Sequence, residues 1–220
     1  MSSNPLPNAG NDLLRIHKVI TRALDVSLHN SQDNSLVEKH WEGFRMYLRV
    51  LTVLLHSHHA GEDELSFPFW RTRLPDGPFD KLSEQHRQMI IYLDQIERWL
   101  GDAGRESWQA NTMSELTQAL TDLRALWQMH IALEEATIGP ENSGKYLTAV
   151  DNEQLGRQLA AHGQAHAQPS ELVMPFAVYN LSEADRAEFV KLLPPVMTQQ
   201  LIPIAWKSAW EPMMPFLMAE

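Results

Sequence analysis

Two stretches far apart in the chain place a histidine and a glutamate four residues apart. In HSHHAGEDELSFP, His58 precedes Glu62, and in HIALEEATIGP, His130 precedes Glu134. Residues four apart lie on one face of a helix, so an imidazole nitrogen and a carboxylate oxygen can reach one metal ion at roughly 2.0–2.2 Å. One such pair would be weak evidence, and the repetition is what predicts a metal site.

The surroundings of the two pairs also repeat. An acidic residue follows each glutamate directly, Asp63 in one half and Glu135 in the other, and a proline comes six residues after each glutamate. One more histidine, His17 or His86, lies on the helix predicted before each pair. These two histidines are 69 residues apart, and the two pairs are 72 apart. The pattern predicts two helical hairpins, each contributing one histidine and one His-x-x-x-Glu.

Each of these six residues falls on the apolar face of its predicted helix. The faces are Leu13, His17, Ile20, Leu24; Phe44, Leu48, Leu51, Leu55, His58, Glu62, Leu65; Leu82, His86, Met89, Leu93, Ile96, Leu100; and Leu116, Leu120, Leu123, Trp127, His130, Glu134, Thr137. An unpaired ionised glutamate in a core is costly, so two carboxylates directed into a core indicate a bound cation.

The neighbouring polar residues fall on other faces. His59 and Asp63 continue a polar stripe with Arg45, Thr52 and His56, and Glu135 lies on a mostly polar stripe of the fourth helix. We therefore expect His59, Asp63 and Glu135 to face solvent or to orient the ligands from outside.

The elements that position these residues are predicted to be four long helices. They begin near Asn11 or Asp12, near Ser35, at Phe79 and before Leu116, and polar or Gly/Pro-rich breaks follow at residues 29–35, 74–78, 101–104 and 139–140. The second helix is expected to end near Pro68. The prediction is an all-α protein, an up-down antiparallel four-helix bundle over residues 1–145.

From about Tyr146 the texture changes. A helix predicted around Asp151–His166 is followed by helical segments interrupted by prolines, one of them starting at Ser182 and Glu183. Residues 146–220 are therefore predicted to be a helical extension that packs on the bundle as a cap. Its Met and Trp residues are typical of a core, although a wall of Trp could also shape a pocket for an organic substrate.

Composition excludes several classes of function. The chain has 220 residues, a net charge of −10 and no cysteine. Without cysteine there are no disulfides, thiolate catalysis or Cys-ligated metals. The acidic balance, without a Lys/Arg cluster, argues against nucleic acid or an anionic membrane as a partner. The sequence has neither a signal peptide pattern nor a run of 18 apolar residues, so we expect a cytoplasmic protein.

The ordered set His17, His58-x-x-x-Glu62, His86 and His130-x-x-x-Glu134 resembles the pattern of the hemerythrin-like, or HHE cation-binding, family. HHAGEDELSFP in particular is similar to that family's HHxxE(E/D)xxLFP element. The resemblance covers roughly residues 10–140. It implies a non-haem diiron centre in which Glu62 and Glu134 bridge two iron ions, with His17 and His58 on one ion and His86 and His130 on the other. Imidazole and carboxylate ligands also suit Mn or Zn.

The sequence departs from the oxygen-carrying hemerythrins. Those have a fifth histidine one turn from the ligand on the third helix, where this chain has Leu82 and Ile90. Six protein ligands for two metals leave positions for O₂, peroxide or nitric oxide, which favours an oxidoreductase over reversible O₂ carriage. A protein that binds or senses O₂ or iron without turnover is the alternative. A metal-free helical interaction module is a third hypothesis, disfavoured by the core-facing carboxylates.

Four histidines lie outside both this pattern and the polar stripe of His56 and His59. His29 and His40 have no partner on an apolar face and are predicted to lie on the surface. His162 and His166 are four apart and could bind Zn, but neither a carboxylate nor a third histidine is near them in the sequence.

Overall fold

The structure is a computed structural model that describes residues 9–102 and 110–218. Every regular element in these two ranges is a helix, and they contain no strand. The predicted all-α class is therefore confirmed. No helix in the same ranges is long and apolar enough to cross a membrane.

Four long helices form the bundle, and a five-residue helix precedes the second of them. Their bounds are α1 Ala9–Gln32, the short α2 Ser35–Lys39, α3 Trp41–Gly61, α5 Phe79–Asp102 and α6 Ala110–Ile138. Helices α1 and α5 both pack against α6 on one side and α3 on the other. Residue His40 separates α2 from α3, so the single second helix predicted from Ser35 is interrupted at its start.

Neighbouring helices of the bundle run antiparallel. His17, near the start of α1, contacts Glu134, near the end of α6, at 3.1 Å. His86, near the start of α5, contacts Glu62, just after the end of α3, at 3.3 Å. The starts of α1 and α5 therefore lie beside the ends of α3 and α6, which is the predicted up-down arrangement.

The predicted apolar faces form the core. Ile20, Leu48, Leu93 and Leu120, one from each long helix, are fully buried. Large side chains such as Phe44 fill the space between the helices, so the interior is packed along most of the bundle. The polar ligands lie between this core and a smaller apolar cluster that includes Phe67, Phe79 and Leu82.

The second helix does not end at Pro68. A π-helical turn, Glu62–Ser66, continues α3, and α4, Phe67–Arg71, follows it without a break. Pro68 is accommodated because it lies in the first turn of α4, where a missing backbone N–H breaks no helical hydrogen bond. The predicted break at residues 101–104 lies partly outside the described ranges and stays a prediction; residues 103–109 and the N-terminal residues 1–8 are not among the described residues.

The C-terminal region is a layer of shorter helices. It comprises α7 Pro140–Tyr146, α8 Ala149–His166, α9 Ser170–Tyr179, α10 Glu183–Val190, a π-helix Met197–Ala205, α11 Lys207–Trp210 and a 3₁₀-helix Glu211–Phe216. The predicted helix starts are confirmed, with Thr148 capping α8 and Ser182 capping α10. The division of the chain at residue 145 falls within α7 and stays a prediction.

This layer is joined to the bundle by buried polar contacts. Tyr47 Oη donates to the side-chain oxygen of Asn180 at 2.6 Å, and Arg22 donates to the backbone oxygen of Phe216 at 3.1 Å. Both Tyr47 and Asn180 are buried. Since a buried polar group left without its partner costs about 1–3 kcal/mol, these bonds fix where the layer sits on the bundle.

The closest approach of the layer to α3 is at Gly43. A Cβ atom there would lie 1.9 Å from the backbone oxygen of Pro212. We expect Gly43→Ala to lower the free energy of unfolding by about 1–3 kcal/mol, because the 3₁₀-helix must move away from α3. The check is Tm, which for a chain of this size falls by roughly 2–4 °C per kcal/mol. Gly144→Ala is the control, since a Cβ there meets no atom within 4 Å; equal Tm values for the two variants would contradict the close packing.

Candidate metal centre

All six predicted ligands converge at one end of the bundle. His17 comes from α1, His58 from α3, Glu62 from the π-helical turn, His86 from α5, and both His130 and Glu134 from α6. Each side chain is at most 7% exposed. The residues that sequence spacing placed on four separate helices therefore share one buried site.

The ligand atoms fall into two adjacent groups. The first group consists of His17, His58, Glu62 and Glu134, and the second of His59, His86 and His130. Within each group the candidate ligand atoms lie within 4.8 Å of one another. Ligands on opposite sides of one ion at about 2.1 Å are about 4.2 Å apart, so each group matches the size of a single metal site.

The two glutamates contact histidines of both groups. One oxygen of Glu62 lies 3.2 Å from His58 Nε2, and the other lies 3.3 Å from His86 Nε2. Glu134 Oε2 lies 3.1 Å from His17 Nε2 and 3.3 Å from His130 Nε2. Both carboxylates therefore lie between the two groups, in the position of a ligand shared by two ions.

A π-helical turn begins at Glu62. In the π-helical turn the N–H of Phe67 bonds to the carbonyl of Glu62, five residues back instead of four. The wider turn lets the chain continue into α4 while Glu62 and Ser66 stay buried. Single π-helical turns within longer helices occur frequently at functional sites.

Outer residues orient three of the histidines. Asp63 accepts from Nδ1 of His86 at 2.9 Å, and Glu135 accepts from Nδ1 of His17 at 2.7 Å. Gln85 Oε1 lies 3.3 Å from Nδ1 of His130. With Nδ1 occupied in this way, Nε2 of each ring faces the cluster, an arrangement typical of metal-binding histidines. The predicted supporting roles of Asp63 and Glu135 are confirmed as contacts.

The electrostatics reflect two carboxylates buried among histidines. Burial, together with the charge of Glu134, raises the pKa of Glu62 to about 8. Burial tends to lower the pKa of His17 and of His86, but the adjacent carboxylates of Glu134 and Glu135 in one case, and of Asp63 and Glu62 in the other, outweigh it and bring each pKa to about 9.

The pKa values of the other members of the cluster are lowered. Burial and the neighbouring histidines hold the pKa values of His58 and His59 well below the usual range. Burial also lowers the pKa of His130. For Glu134, burial acts to raise the pKa, but the adjacent imidazoles of His130 and His17 hold it well below the usual range. Neutral imidazole and ionised carboxylate are the forms that bind metal.

A cation would satisfy polar atoms that lack other partners. Among the described residues, both oxygens of Glu62, both oxygens of Glu134, Nε2 of His17 and Nε2 of His58 are buried without a hydrogen bond. Both ring nitrogens of His59 share this property. Leaving so many buried groups unpaired would cost several kcal/mol, and nitrogen and oxygen donors in this number suit a divalent transition metal.

Of the two environments expected for His59, exposure to solvent is wrong. Its side chain is 5% exposed, and its ring stacks on that of His86 with centroids 4.1 Å apart. His58 and His59 both point inward because the buried stripe of a bundle helix is at least 100° wide, the angle between consecutive residues. The burial of Thr52, on the same polar stripe, follows from the same width. Sequence reasoning missed His59 because residue polarity was taken as a sign of exposure.

The remaining histidines differ in how far they are exposed. His29 and His40 are exposed, as predicted. His162 and His166 stack on each other with ring centroids 4.2 Å apart, but neither belongs to a ligand group among the described residues. The side chain of His162 is only 8% exposed, whereas His166 is exposed.

The fold and the site together define a helical-bundle protein with a buried His/Glu site for metal cations. Comparison with known families matches residues 9–141, more than half of the chain, to the hemerythrin HHE cation binding domain. The chain belongs to this family. No curated protein and no solved structure shows significant similarity to the chain.

Metal removal is expected to destabilise the fold, because the buried carboxylates lose their partner. A ligand present at a thousand times its Kd stabilises the native state by about 4 kcal/mol. We therefore expect a strong chelator to lower Tm by roughly 10 °C. Differential scanning calorimetry before and after chelation, followed by metal addition, measures the effect. An unchanged Tm in protein whose metal content has fallen would contradict a stabilising site.

His59 is expected to contribute to metal retention. His59→Ala removes one of three histidines in the second group, and we expect the affinity for metal to fall by at least tenfold. His56→Ala is the matched control, since His56 lies three residues earlier on α3 and its side chain is 38% exposed. Competition with a chromophoric chelator gives both affinities. If the two variants retain metal equally, His59 is a packing residue.

Proposed function

We propose that the chain is a non-haem diiron oxidoreductase that reacts with O₂, peroxide or nitric oxide. The observation that supports this most directly is the position of the glutamates. Glu62 and Glu134 each contact one histidine of both ligand groups at 3.1–3.3 Å. A site for one ion needs no such arrangement, whereas a site for two ions needs ligands that hold them together.

The ligand set supports iron and an incomplete protein coordination shell. Imidazole and carboxylate ligands without thiolate are those of non-haem iron sites with open positions. The second group has three histidines and the first has two, and the two glutamates are shared between them. A diatomic molecule or peroxide can therefore reach an ion that the protein does not fully enclose. Iron, when bound, supplies the electrons that reduce such a molecule.

Two partly exposed carboxylates support the ligand histidines. Asp63 contacts buried His86, and its side chain is 37% exposed. Glu135 contacts buried His17, and its side chain is 35% exposed. Each carboxylate thus has one side on a ligand histidine and the other in water. We infer that these two residues hold the rings with Nε2 toward the metal and raise the basicity of the rings.

Metal content is the first test of the proposal. Protein made in iron-supplemented medium is expected to contain about two irons per chain by elemental analysis. The double variant Glu62→Ala/Glu134→Ala is expected to lose both, because it removes the ligands shared by the two groups. Glu64→Ala is the matched control, since Glu64 lies two residues from Glu62 with a side chain that is 63% exposed.

Reactivity is the second test. The reduced iron protein is mixed with O₂, hydrogen peroxide and nitric oxide in separate stopped-flow experiments, and consumption of each is followed over many turnovers with a chemical reductant. Turnover with at least one of them supports the oxidoreductase. Binding without turnover would favour the alternative of a protein that binds or senses O₂ or iron. Zinc or manganese instead of iron, or little metal in folded wild type, would contradict the diiron assignment.

A further inference from the structure

A cavity of about 250 Å³ lies beside the first ligand group. His58 and Glu62 form part of its wall, and α1, α3 and α8 enclose it. The side formed by α8 lies beyond residue 141, where the match to the family ends. This cavity is therefore built jointly by the family's bundle and by a part of the chain that the family match does not describe.

Apolar side chains dominate the wall. From the bundle come Leu13, Ile16 and Leu54, and from α8 come Leu155 and Leu159. An engineered apolar cavity of about 150 Å³ is known to bind benzene, so this cavity has room for one ring with a short substituent. Concave, mostly apolar sites with a few polar groups are typical of small-molecule binding.

One polar atom in the wall of the cavity lacks a hydrogen bond to the described residues. His162 lines the cavity, and its Nε2 is buried without a hydrogen-bond partner among the described residues. The nearest carboxylate, that of Glu64, is 3.5 Å away and does not form a hydrogen bond. A buried ring nitrogen left unpaired is costly, and a bound ligand would supply the missing partner.

The backbone of α3 is shaped to admit this histidine. A Cβ atom at Gly61 would lie 3.2 Å from His162 Nδ1 and 3.5 Å from the side chain of Leu159. The glycine thus allows α8 to approach the end of α3 at the point where the metal ligands begin. His162 lies against Gly61, the residue before Glu62. It is held there by packing instead of by hydrogen bonds.

We propose that this cavity binds a small neutral organic molecule, about one aromatic ring in size and carrying one hydroxyl group, as the substrate of the metal centre. The hydroxyl bonds to Nε2 of His162, and the carbon frame extends between the leucines toward His58 and Glu62. This molecule would be the substrate class of the proposed oxidoreductase. Its role as a substrate rests on that proposed function, whereas its binding to the cavity does not.

A neutral hydroxyl compound fits better than the other small ligands. A hydroxyl both donates and accepts, so it can bond to the imidazole nitrogen in either tautomer. An anion is disfavoured because Asp12 and Glu62 line the cavity, Glu64 lies near His162, and the chain carries a net charge of −10.

The test uses two probes of similar shape, 4-methylphenol and toluene, with the metal-loaded full chain. Kd is measured for each by ligand-observed NMR titration. We expect 4-methylphenol to bind three- to tenfold more tightly than toluene, the range of one hydrogen bond. Leu159→Trp fills the cavity from α8 and is expected to abolish binding of both. His162→Leu is expected to bring 4-methylphenol to the affinity of toluene.

His166→Leu is the matched control, because His166 is exposed, stacks on His162 and does not line the cavity. It is expected to bind both probes like the wild type. The proposal is overturned if neither probe binds the wild type, if folded Leu159→Trp binds as tightly, or if His162→Leu and His166→Leu behave alike. Should Leu159→Trp not fold by circular dichroism, the two histidine variants decide the outcome.

Metal content measured on the same samples separates the two proposals. Two irons per chain with no probe binding would overturn the cavity assignment and leave the diiron proposal standing. Probe binding to a chain without iron would do the reverse, supporting the binding site and contradicting the diiron function.

Discussion

The structure depends on two carboxylates held in the low-dielectric interior of a helical bundle. Glu62 and Glu134 are 3% and 0% exposed, and none of their four oxygens has a hydrogen-bond partner among the described residues. Such groups are tolerated only if charge of the opposite sign lies beside them. Five histidines surround them, and a pair of cations would neutralise them fully. The buried polar groups at this end of the bundle are therefore stabilised by bound metal and energetically costly without it.

Two outer layers keep this arrangement in place. The first consists of Asp63, Glu135 and Gln85, whose contacts with Nδ1 direct the Nε2 atoms of three histidines inward. Because two of these groups are partly exposed carboxylates, the same contacts that orient the rings connect the buried cluster with solvent.

The second layer is the C-terminal half-shell of short helices. It is fixed to the bundle by buried bonds such as that of Tyr47 with Asn180, and α8 brings His162 and Leu159 over the end of α3. The cavity between α8 and the bundle borders the first ligand group alone. The second group also contains His59, which comes from α3. Helix α5, by contrast, lacks the additional histidine of the oxygen-carrying hemerythrins. The two ligand groups thus differ in their surroundings, one facing a cavity and the other richer in histidine.

The sequence alone predicted the long helices and the six His and Glu residues that cluster, because both follow from a local rule: residues three or four apart share a helix face. The repeated His-x-x-x-Glu pairs could therefore be assigned before any contact was known. Tertiary structure decided the role of residues whose environment comes from other helices. His59 is buried by the rings around it, and His162 lines a cavity only because α8 folds back onto α3. Spacing along one helix carries no information about such approaches.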